Sequence, residues 1–139
     1  MNYSLGVDIG SVNVKLSLID EDGGVVQFDT EKITSNPRAD VNSLIARLGS
    51  KFDLDQIASA GVSGSGKAVV PKEFNWAEYS SSLSIASGLL RCHSDAKTII
   101  QIGGQSSLVI GLADGLRKPW KVASNSLCAA GTGRFIEQQ

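Results

Sequence analysis

The chain has 139 residues, a net charge of −1, 42% apolar residues and 19% charged residues. This balance is typical of a folded globular protein, and the near-neutral charge gives no argument for binding nucleic acid or an anionic membrane. No apolar run approaches the roughly 20 residues that a membrane-spanning helix needs, and the N-terminus has no signal-peptide pattern. Two cysteines are too few for a disulfide framework, so we expect a cytoplasmic protein with reduced thiols.

Alternating apolar residues at the start of the chain predict three strands. The first spans about Tyr3–Ile9 and the second about Asn13–Ile19, and an Asp-Gly turn leads into a third strand from Val25 to about Ile33. The links between these strands are so short that they allow only hairpins. The sequence therefore predicts an antiparallel meander.

A helix and a buried strand come next. Apolar residues at positions 41, 44, 45 and 48 form one stripe at helical spacing, with Asp40 as the predicted N-cap and Gly49 as the end. The apolar run Ile57–Val62 is typical of a short buried strand. We expect the helix to make the crossover that leads to a parallel strand.

The remaining part of the chain predicts a helix at about Tyr79–Leu90, a buried strand at about Lys97–Ile102 and a hairpin at Gly103-Gly104. The pattern predicts a further helix that begins at Arg134, and the sequence stops about two turns into it. A natural domain seldom ends inside a helix, so we expect a piece of a longer protein.

Gly10 and Ser11 form a turn between the first two strands, flanked by Asp8 and Lys15. A glycine lets backbone amides approach an anion closely, because no Cβ stands in the way. A carboxylate beside such a turn would repel phosphate, so it makes sense mainly if it orients water around Mg²⁺, while the lysine adds positive charge. The alternative is a plain hairpin with a polar tip. Similar turns near positions 103 and 131 favour the phosphate-binding interpretation.

The segment Gly61–Lys67 has the spacing of a P-loop. However, Ala68 stands where that motif needs serine or threonine, and Pro71 interrupts the helix that should follow. The sequence therefore argues against a true P-loop. A glycine loop beside a nucleotide cleft and a simple serine–glycine turn both remain open.

Two further segments carry candidate chemistry. The turn Gly103-Gly104-Gln105 can hold phosphate through backbone amides, although its side chains are neutral. Cys128 precedes a glycine-rich segment and a helix, which favours a thiolate, so it is a candidate metal ligand or reactive thiol, with a small buried residue as the alternative. Adjacent residues rarely converge on one ion, so we expect no metal pair at Cys92-His93.

Three stretches, in this order along the chain, resemble the activator ATPases of 2-hydroxyacyl-CoA dehydratases and their benzoyl-CoA reductase relatives. This is the BadF/BadG/BcrA/BcrD family of the acetate and sugar kinase, Hsp70 and actin superfamily. The stretches are Leu5–Ser11 with Lys15, Ile102–Gln105, and Cys128–Glu137. The last is the most specific. The resemblance covers essentially the whole chain, but only about the N-terminal half of such a protein.

The resemblance implies an α/β, RNase H-like (actin-like ATPase) fold, for which we expect a mixed sheet of order 3-2-1-4-5 with helices on its faces. We expect residues 1–95 to form the first ATPase domain and residues 96–139 to start a second, truncated one, with ATP or ADP and Mg²⁺ between them. The implied site residues are Asp8 as the catalytic group near Mg²⁺, Gly10, Ser11 and Lys15 in the first phosphate loop, Gly103, Gly104 and Gln105 in the second, and Gly131, Thr132 and Gly133 near phosphate.

The resemblance also implies electron transfer. Cys128 matches the first cluster cysteine of the family, whose activators hold one [4Fe-4S] cluster between two subunits. The implied protein is a cytoplasmic homodimer that couples ATP hydrolysis to the transfer of one electron to a CoA-ester dehydratase or reductase component. It has no membrane or nucleic-acid partner.

Two departures from the family pattern support an alternative. Gln101 and Ser106 stand where family members have acids, which puts the hydrolytic metal site in doubt. These residues favour a non-hydrolysing nucleotide-binding or docking module of the same fold within a larger protein, whereas Cys128 favours the activator. We expect the second cluster cysteine and the adenosine site beyond Gln139.

Overall fold

The computed structural model describes residues 2–117 and 120–126, and the chain divides into two compact units, Met1–Tyr79 and Ser80–Gln139. The first unit contains one α-helix, five strands and three short 3-10 turns among the described residues. Its main elements are β1 (Tyr3–Ile9), β2 (Asn13–Ile19), β3 (Val25–Lys32), α1 (Pro37–Gly49), β4 (Ile57–Ser63) and β5 (Ala77–Glu78), with 3-10 turns at Leu54–Gln56, Lys67–Val69 and Lys72–Phe74.

The sheet of the first unit has the order β3-β2-β1-β4-β5, which confirms the predicted order 3-2-1-4-5. β1 and β2 are antiparallel, as are β2 and β3, while β4 lies parallel to β1 on its other side. The fifth strand, which the sequence did not locate, is the two-residue β5 beside β4. Because β1 and β4 are parallel, their C-terminal ends lie side by side.

One apolar core lies between this sheet and α1. Alternate residues of β1 and β2 face the same side, as the period of two requires, and the apolar stripe of α1 packs on them. Burial of one such side chain contributes about 1.5–3 kcal/mol, so these contacts hold the sheet and helix together. The most buried side chains are Ile9, Val14, Leu16, Leu18, Leu44 and Val62.

The start of α1 differs from the prediction, because Asp40 is not its N-cap. The helix begins at Pro37, and the side chain of Asn36 caps it by accepting a hydrogen bond from the amide of Ala39 at 3.2 Å. Proline suits the first helical position, since its fixed φ is helical and its missing amide hydrogen has no partner there anyway. Asp40 instead is buried in the first turn and accepts hydrogen bonds from the amide and hydroxyl of Thr34.

The second unit begins with a helix and continues as an antiparallel meander. α2 (Ser81–Cys92) is followed by β6 (Thr98–Ile102), β7 (Ser106–Gly111) and β8 (Lys121–Ser126), in the order β6-β7-β8. We expected β6 to be buried, but only Ile99 is, whereas Ile100 is 69% and Ile102 52% exposed. The expectation fails because, among the described residues, only one face of this sheet is packed.

The packing of α2 also sets the boundary between the units. Ala86 of α2 is fully buried in one cluster with Ile99, Ile110 and Leu112 of the second unit. The boundary between the two compact units follows Tyr79, so α2 belongs to the second unit. That the two units are the two domains of the ATPase fold stays a prediction. Within residues 2–117 and 120–126, no helix is long and apolar enough to cross a membrane.

Candidate functional site

The turn between β1 and β2 is closed by its own backbone. The amide of Gly10 donates to the carbonyl of Asn13 at 3.0 Å. A Cβ on Gly10 would lie 3.1 Å from that same carbonyl oxygen, so a larger residue would crowd the turn. Ile9, just before the glycine, is fully buried and anchors the turn to the core. Ser11 lies exposed at the tip.

Asp8 and Lys15 flank this turn and form an ion pair. They are directly opposite each other in the β1–β2 register, and Lys15 Nζ lies 3.0 Å from Asp8 Oδ2. Their side chains are 38% and 45% exposed, respectively. Exposed pairs of this kind contribute at most about 1 kcal/mol to stability. Because the pair is exposed and weak, both charges remain accessible to a ligand.

A second loop meets Asp8 from the other side. Ser63, the last residue of β4, is the register partner of Asp8, and its hydroxyl donates to Asp8 Oδ1 at 3.3 Å. Gly64 follows with φ +96°, and a Cβ there would lie 2.3 Å from the carbonyl oxygen of Ile9. The amide of Gly66 donates to this carbonyl at 2.8 Å. The loop after β4 is thus fixed against the end of β1.

This loop is not a P-loop, in agreement with the sequence. A P-loop lysine stands at the start of a helix and points to phosphate, whereas Lys67 starts a 3-10 turn of three residues. Its ammonium group lies 3.0 Å from Glu78 Oε2 on β5. The sequence did not identify Ser63 as a partner of Asp8, because only the parallel pairing of β1 with β4 brings the two together.

The hairpin between β6 and β7 repeats the backbone of the first one. The amide of Gly103 donates to the carbonyl of Ser106 at 2.7 Å, and a Cβ on Gly103 would lie 3.0 Å from that oxygen. Gln101 is opposite Leu108 in the register, as Asp8 is opposite Lys15 in the first hairpin. The second hairpin therefore has the same turn without the ion pair.

The other predicted site residues fall into two groups. In the second hairpin, Gly104 is half-buried and Gln105 is exposed. Cys92 is an exposed free thiol at the end of α2, and the part of the chain that the structure describes contains no group of three or more potential metal ligands. The predicted residues Cys128, Gly131, Thr132 and Gly133 lie outside the described residues.

The strand order and the glycine hairpins define an actin-like ATPase fold, and solved structures of this fold match the chain. The activator of the 2-hydroxyisocaproyl-CoA dehydratase from Clostridium difficile, solved with bound ADPNP, is 28% identical with a TM-score of 0.81, covering 98% of this chain and 50% of that one. Component A of the (R)-2-hydroxyglutaryl-CoA dehydratase from Acidaminococcus fermentans is 26% identical with a TM-score of 0.79, covering 99% and 52%.

The chain belongs to the BadF/BadG/BcrA/BcrD ATPase family, whose model matches residues 5–138. The activator of lactoyl-CoA dehydratase from Anaerotignum propionicum is 29% identical over 97% of this chain and 51% of the relative. This chain thus spans about half the length of the curated relatives it matches. A Ppx/GppA phosphatase from Aquifex aeolicus, 12% identical with a TM-score of 0.57, covers 91% of this chain and 52% of its own and shares the fold alone.

Proposed function

We propose that this chain is the N-terminal part of an ATP-dependent activator that donates an electron through a [4Fe-4S] cluster to a 2-hydroxyacyl-CoA dehydratase or a benzoyl-CoA reductase-like enzyme. One observation carries the nucleotide part of this proposal. Asp8, Lys15, the Gly10 turn and the loop after β4 meet at one end of the first sheet. Relatives that are named dehydratase activators support the rest.

The residues of the first hairpin have distinct roles in this proposal. The backbone of Gly10 and Ser11 binds phosphate, because a glycine turn exposes amide hydrogens without a Cβ in the way. Lys15 leaves Asp8 to pair with the phosphate charge. Asp8 would then be free to orient water around Mg²⁺, because its carboxylate offers the oxygen donors that this ion prefers, while the Ser63 hydroxyl donates to Asp8 Oδ1. Bound Mg²⁺ would neutralise part of the phosphate charge.

The proposal assigns further roles to the later segments. Gly103, Gly104 and Gln105 would bind phosphate through their backbone, and the family resemblance assigns Gly131, Thr132 and Gly133 to phosphate as well. Cys128 serves as an iron–sulfur ligand. A [4Fe-4S] cluster usually takes four thiolates, so a cytoplasmic homodimer must supply further cysteines besides the two copies of Cys128. When bound, the cluster would supply the electron for the partner enzyme.

A second candidate function is a non-hydrolysing module of the same fold that binds nucleotide or docks to a larger protein. Gln101 favours it, because this neutral amide occupies the position of Asp8 in the repeated hairpin. An amide can hydrogen-bond water, but it cannot accept a proton or offset the charge of a metal ion. In its nucleotide-binding form, this candidate shares nucleotide binding with the activator and differs from it in hydrolysis and electron transfer.

The first test is calorimetric titration with ATP and ADP in the presence of Mg²⁺. Lys15→Ala should weaken binding about tenfold or more, because it removes a charged hydrogen-bond donor from the phosphate. Lys32→Ala is the matched control, since Lys32 is another exposed strand lysine, at the end of β3. If the protein at its natural full length binds neither nucleotide, the activator proposal and the nucleotide-binding form of the second candidate both fail, and only a docking module remains.

The second test separates the two candidates in the protein at its natural full length. The activator should hydrolyse ATP and, after anaerobic reduction, start turnover of a 2-hydroxyacyl-CoA dehydratase. The alternative module should bind nucleotide but do neither. Nucleotide binding without hydrolysis or electron transfer would therefore replace the activator proposal with the second one.

A further inference from the structure

Both oxygens of the Asp8 carboxylate have a side-chain partner. Lys15 Nζ donates to Oδ2 at 3.0 Å from β2, and Ser63 Oγ donates to Oδ1 at 3.3 Å from β4. The two donors come from opposite neighbours of β1, since β2 and β4 flank that strand in the sheet. The carboxylate is therefore held by side chains from both neighbouring strands.

The two donors differ in how easily they can move. Lys15 has a long flexible side chain that is 45% exposed, so a phosphate group can draw its ammonium away from Asp8. Ser63 has a short side chain on a strand in direct register with Asp8. The loop after Ser63 is fixed by the hydrogen bond from the amide of Gly66 to the carbonyl of Ile9.

The glycine after Ser63 leaves room for this arrangement. A Cβ on Gly64 would lie 2.7 Å from Asp8 Oδ1, the oxygen that accepts the hydrogen bond from Ser63. It would also lie 2.3 Å from the carbonyl oxygen of Ile9. The space that glycine leaves at position 64 is thus occupied by the Asp8 carboxylate and the backbone that carries it.

We infer that Ser63 is a positioning residue for Asp8. When phosphate binding draws Lys15 away, the Ser63 hydroxyl keeps the carboxylate oriented toward the metal-bound water. This inference rests on the proposed nucleotide function. It gives the end of β4 and the loop after it a role in positioning Asp8, which differs from the direct phosphate binding that the P-loop spacing of Gly61–Lys67 would suggest. Ser63 acts through Asp8 and need not contact the nucleotide.

The test compares Ser63→Ala, Ser63→Thr and the control Ser59→Ala in the protein at its natural full length. Ser59 lies on the same face of the same strand, and its hydroxyl donates to Ser4 Oγ at 2.9 Å instead of to Asp8. Ser63→Ala should weaken ADP binding about 3–10-fold in Mg²⁺, which is the usual effect of one lost hydrogen bond, and leave binding in EDTA unchanged. Ser63→Thr should bind ADP as the unaltered protein does, because threonine keeps the hydroxyl that Ser63→Ala removes.

A second readout uses the protein without nucleotide. The ¹³C chemical shift of the Asp8 carboxyl carbon should change in Ser63→Ala and stay at its original value in Ser59→Ala. If that shift does not respond to Ser63→Ala, or if the variant binds Mg²⁺–ADP as the unaltered protein does, the inference is wrong. If the shift responds but the unaltered protein binds no nucleotide, Ser63 still positions Asp8 and the proposed function alone fails.

Discussion

Gln101 occupies in the second hairpin the position that Asp8 occupies in the first. Each lies two residues before the turn glycine, and each has as its register partner the residue seven positions later, which is Lys15 for Asp8 and Leu108 for Gln101. The backbone of the turn is repeated, but the ion pair is not. The second hairpin can offer amides to phosphate, yet it contributes neither a carboxylate nor a cation at these positions.

This relationship predicts that Gln101 limits ATP hydrolysis. Asp8 alone supplies a carboxylate to the two phosphate turns, and a properly placed general base typically adds about 10²–10⁴-fold in rate. In the natural protein we expect slow hydrolysis if the chain is part of the activator and no hydrolysis if it is the alternative module, with nucleotide binding partly retained in both cases. Gln101→Asp, alone and together with Ser106→Asp, should raise kcat for ATP in the full-length protein, as a phosphate-release assay would measure.

The control for this prediction is Gln56→Asp, which adds the same carboxylate at an exposed position in the 3-10 turn before β4. It should leave the hydrolysis rate unchanged. If neither Gln101 variant raises kcat, or if the natural protein already hydrolyses ATP as fast as they do, the missing carboxylate is not the limiting group. Hydrolysis of ATP by the natural protein at the rate of the variants would also rule out the non-hydrolysing alternative.

A second prediction concerns Gly64 and the stability of the first unit. Gly64→Ala should lower the free energy of unfolding by about 1–3 kcal/mol, because φ is +96° and the new Cβ would overlap the carbonyl oxygen of Ile9. Urea denaturation measures the change. The control is Gly88→Ala, because nothing lies within 4 Å of a Cβ at that helical position. The control should be neutral or slightly stabilising, since alanine favours helix. Equal effects of the two substitutions would contradict the prediction.

The parts of the fold that the sequence predicted are those where hydrophobic periodicity is strong. The alternation in β1 and β2 and the stripe of α1 gave the right elements, because burial of one face dictates both periods. The two-residue β5 carries no such period, so its position depends on pairing with β4 alone. The cap of α1 was misplaced because Asn36 and Asp40 are both good caps, and the choice depends on Pro37 and on Thr34, which binds Asp40.

In the candidate site, too, local features can be predicted from the sequence and long-range contacts cannot. The glycine turn with Asp8 and Lys15 beside it lies within about ten residues of sequence, so a local pattern indicates it. The ion pair between the two side chains is a finding of the structure. The contact of Ser63 with Asp8 joins residues that are 55 positions apart. It depends on the parallel alignment of β4 with β1, which no local pattern specifies to the residue.

A third prediction is a pH-dependent contribution to stability from Arg47. Its side chain donates to Asp29 at 3.0 Å and to Glu31 at 2.8 Å, and the hydrogen bond from Arg47 lowers the pKa of the Asp29 carboxyl below its ordinary value. A carboxyl whose pKa is lower in the folded state stabilises the fold above its unfolded pKa, and this stabilisation is lost as the pH falls through the folded pKa. Arg47→Gln should therefore destabilise the protein at pH 7.

Urea denaturation at pH 7 and at about pH 3 tests this sign. The difference between Arg47→Gln and the unaltered protein should shrink on acidification, because the protonated carboxyl no longer needs the guanidinium. Arg38→Gln is the control, since Arg38 is an exposed arginine in the same helix, and its effect should be the same at both pH values. A penalty for Arg47→Gln that persists unchanged at low pH would mean that packing of the side chain matters and its charge does not.

The last prediction concerns the two cysteines and the proposed cluster. Two copies of this chain supply two Cys128 thiols to a cluster that usually takes four thiolates. We do not expect the two copies of Cys92 to supply the other two thiolates. Cys92 is an exposed thiol at the end of α2, and its neighbour His93 is adjacent in sequence, a spacing that rarely brings two side chains to one ion. The 139-residue chain should therefore hold no stable [4Fe-4S] cluster after anaerobic reconstitution, as measured by iron content and visible absorption. Cys92→Ser should not change that result.

A yield near four irons per dimer that disappears in Cys128→Ser would show that Cys128 is a ligand and that the chain supplies the remaining ones. Loss of that iron in Cys92→Ser as well would identify Cys92 as the second cysteine.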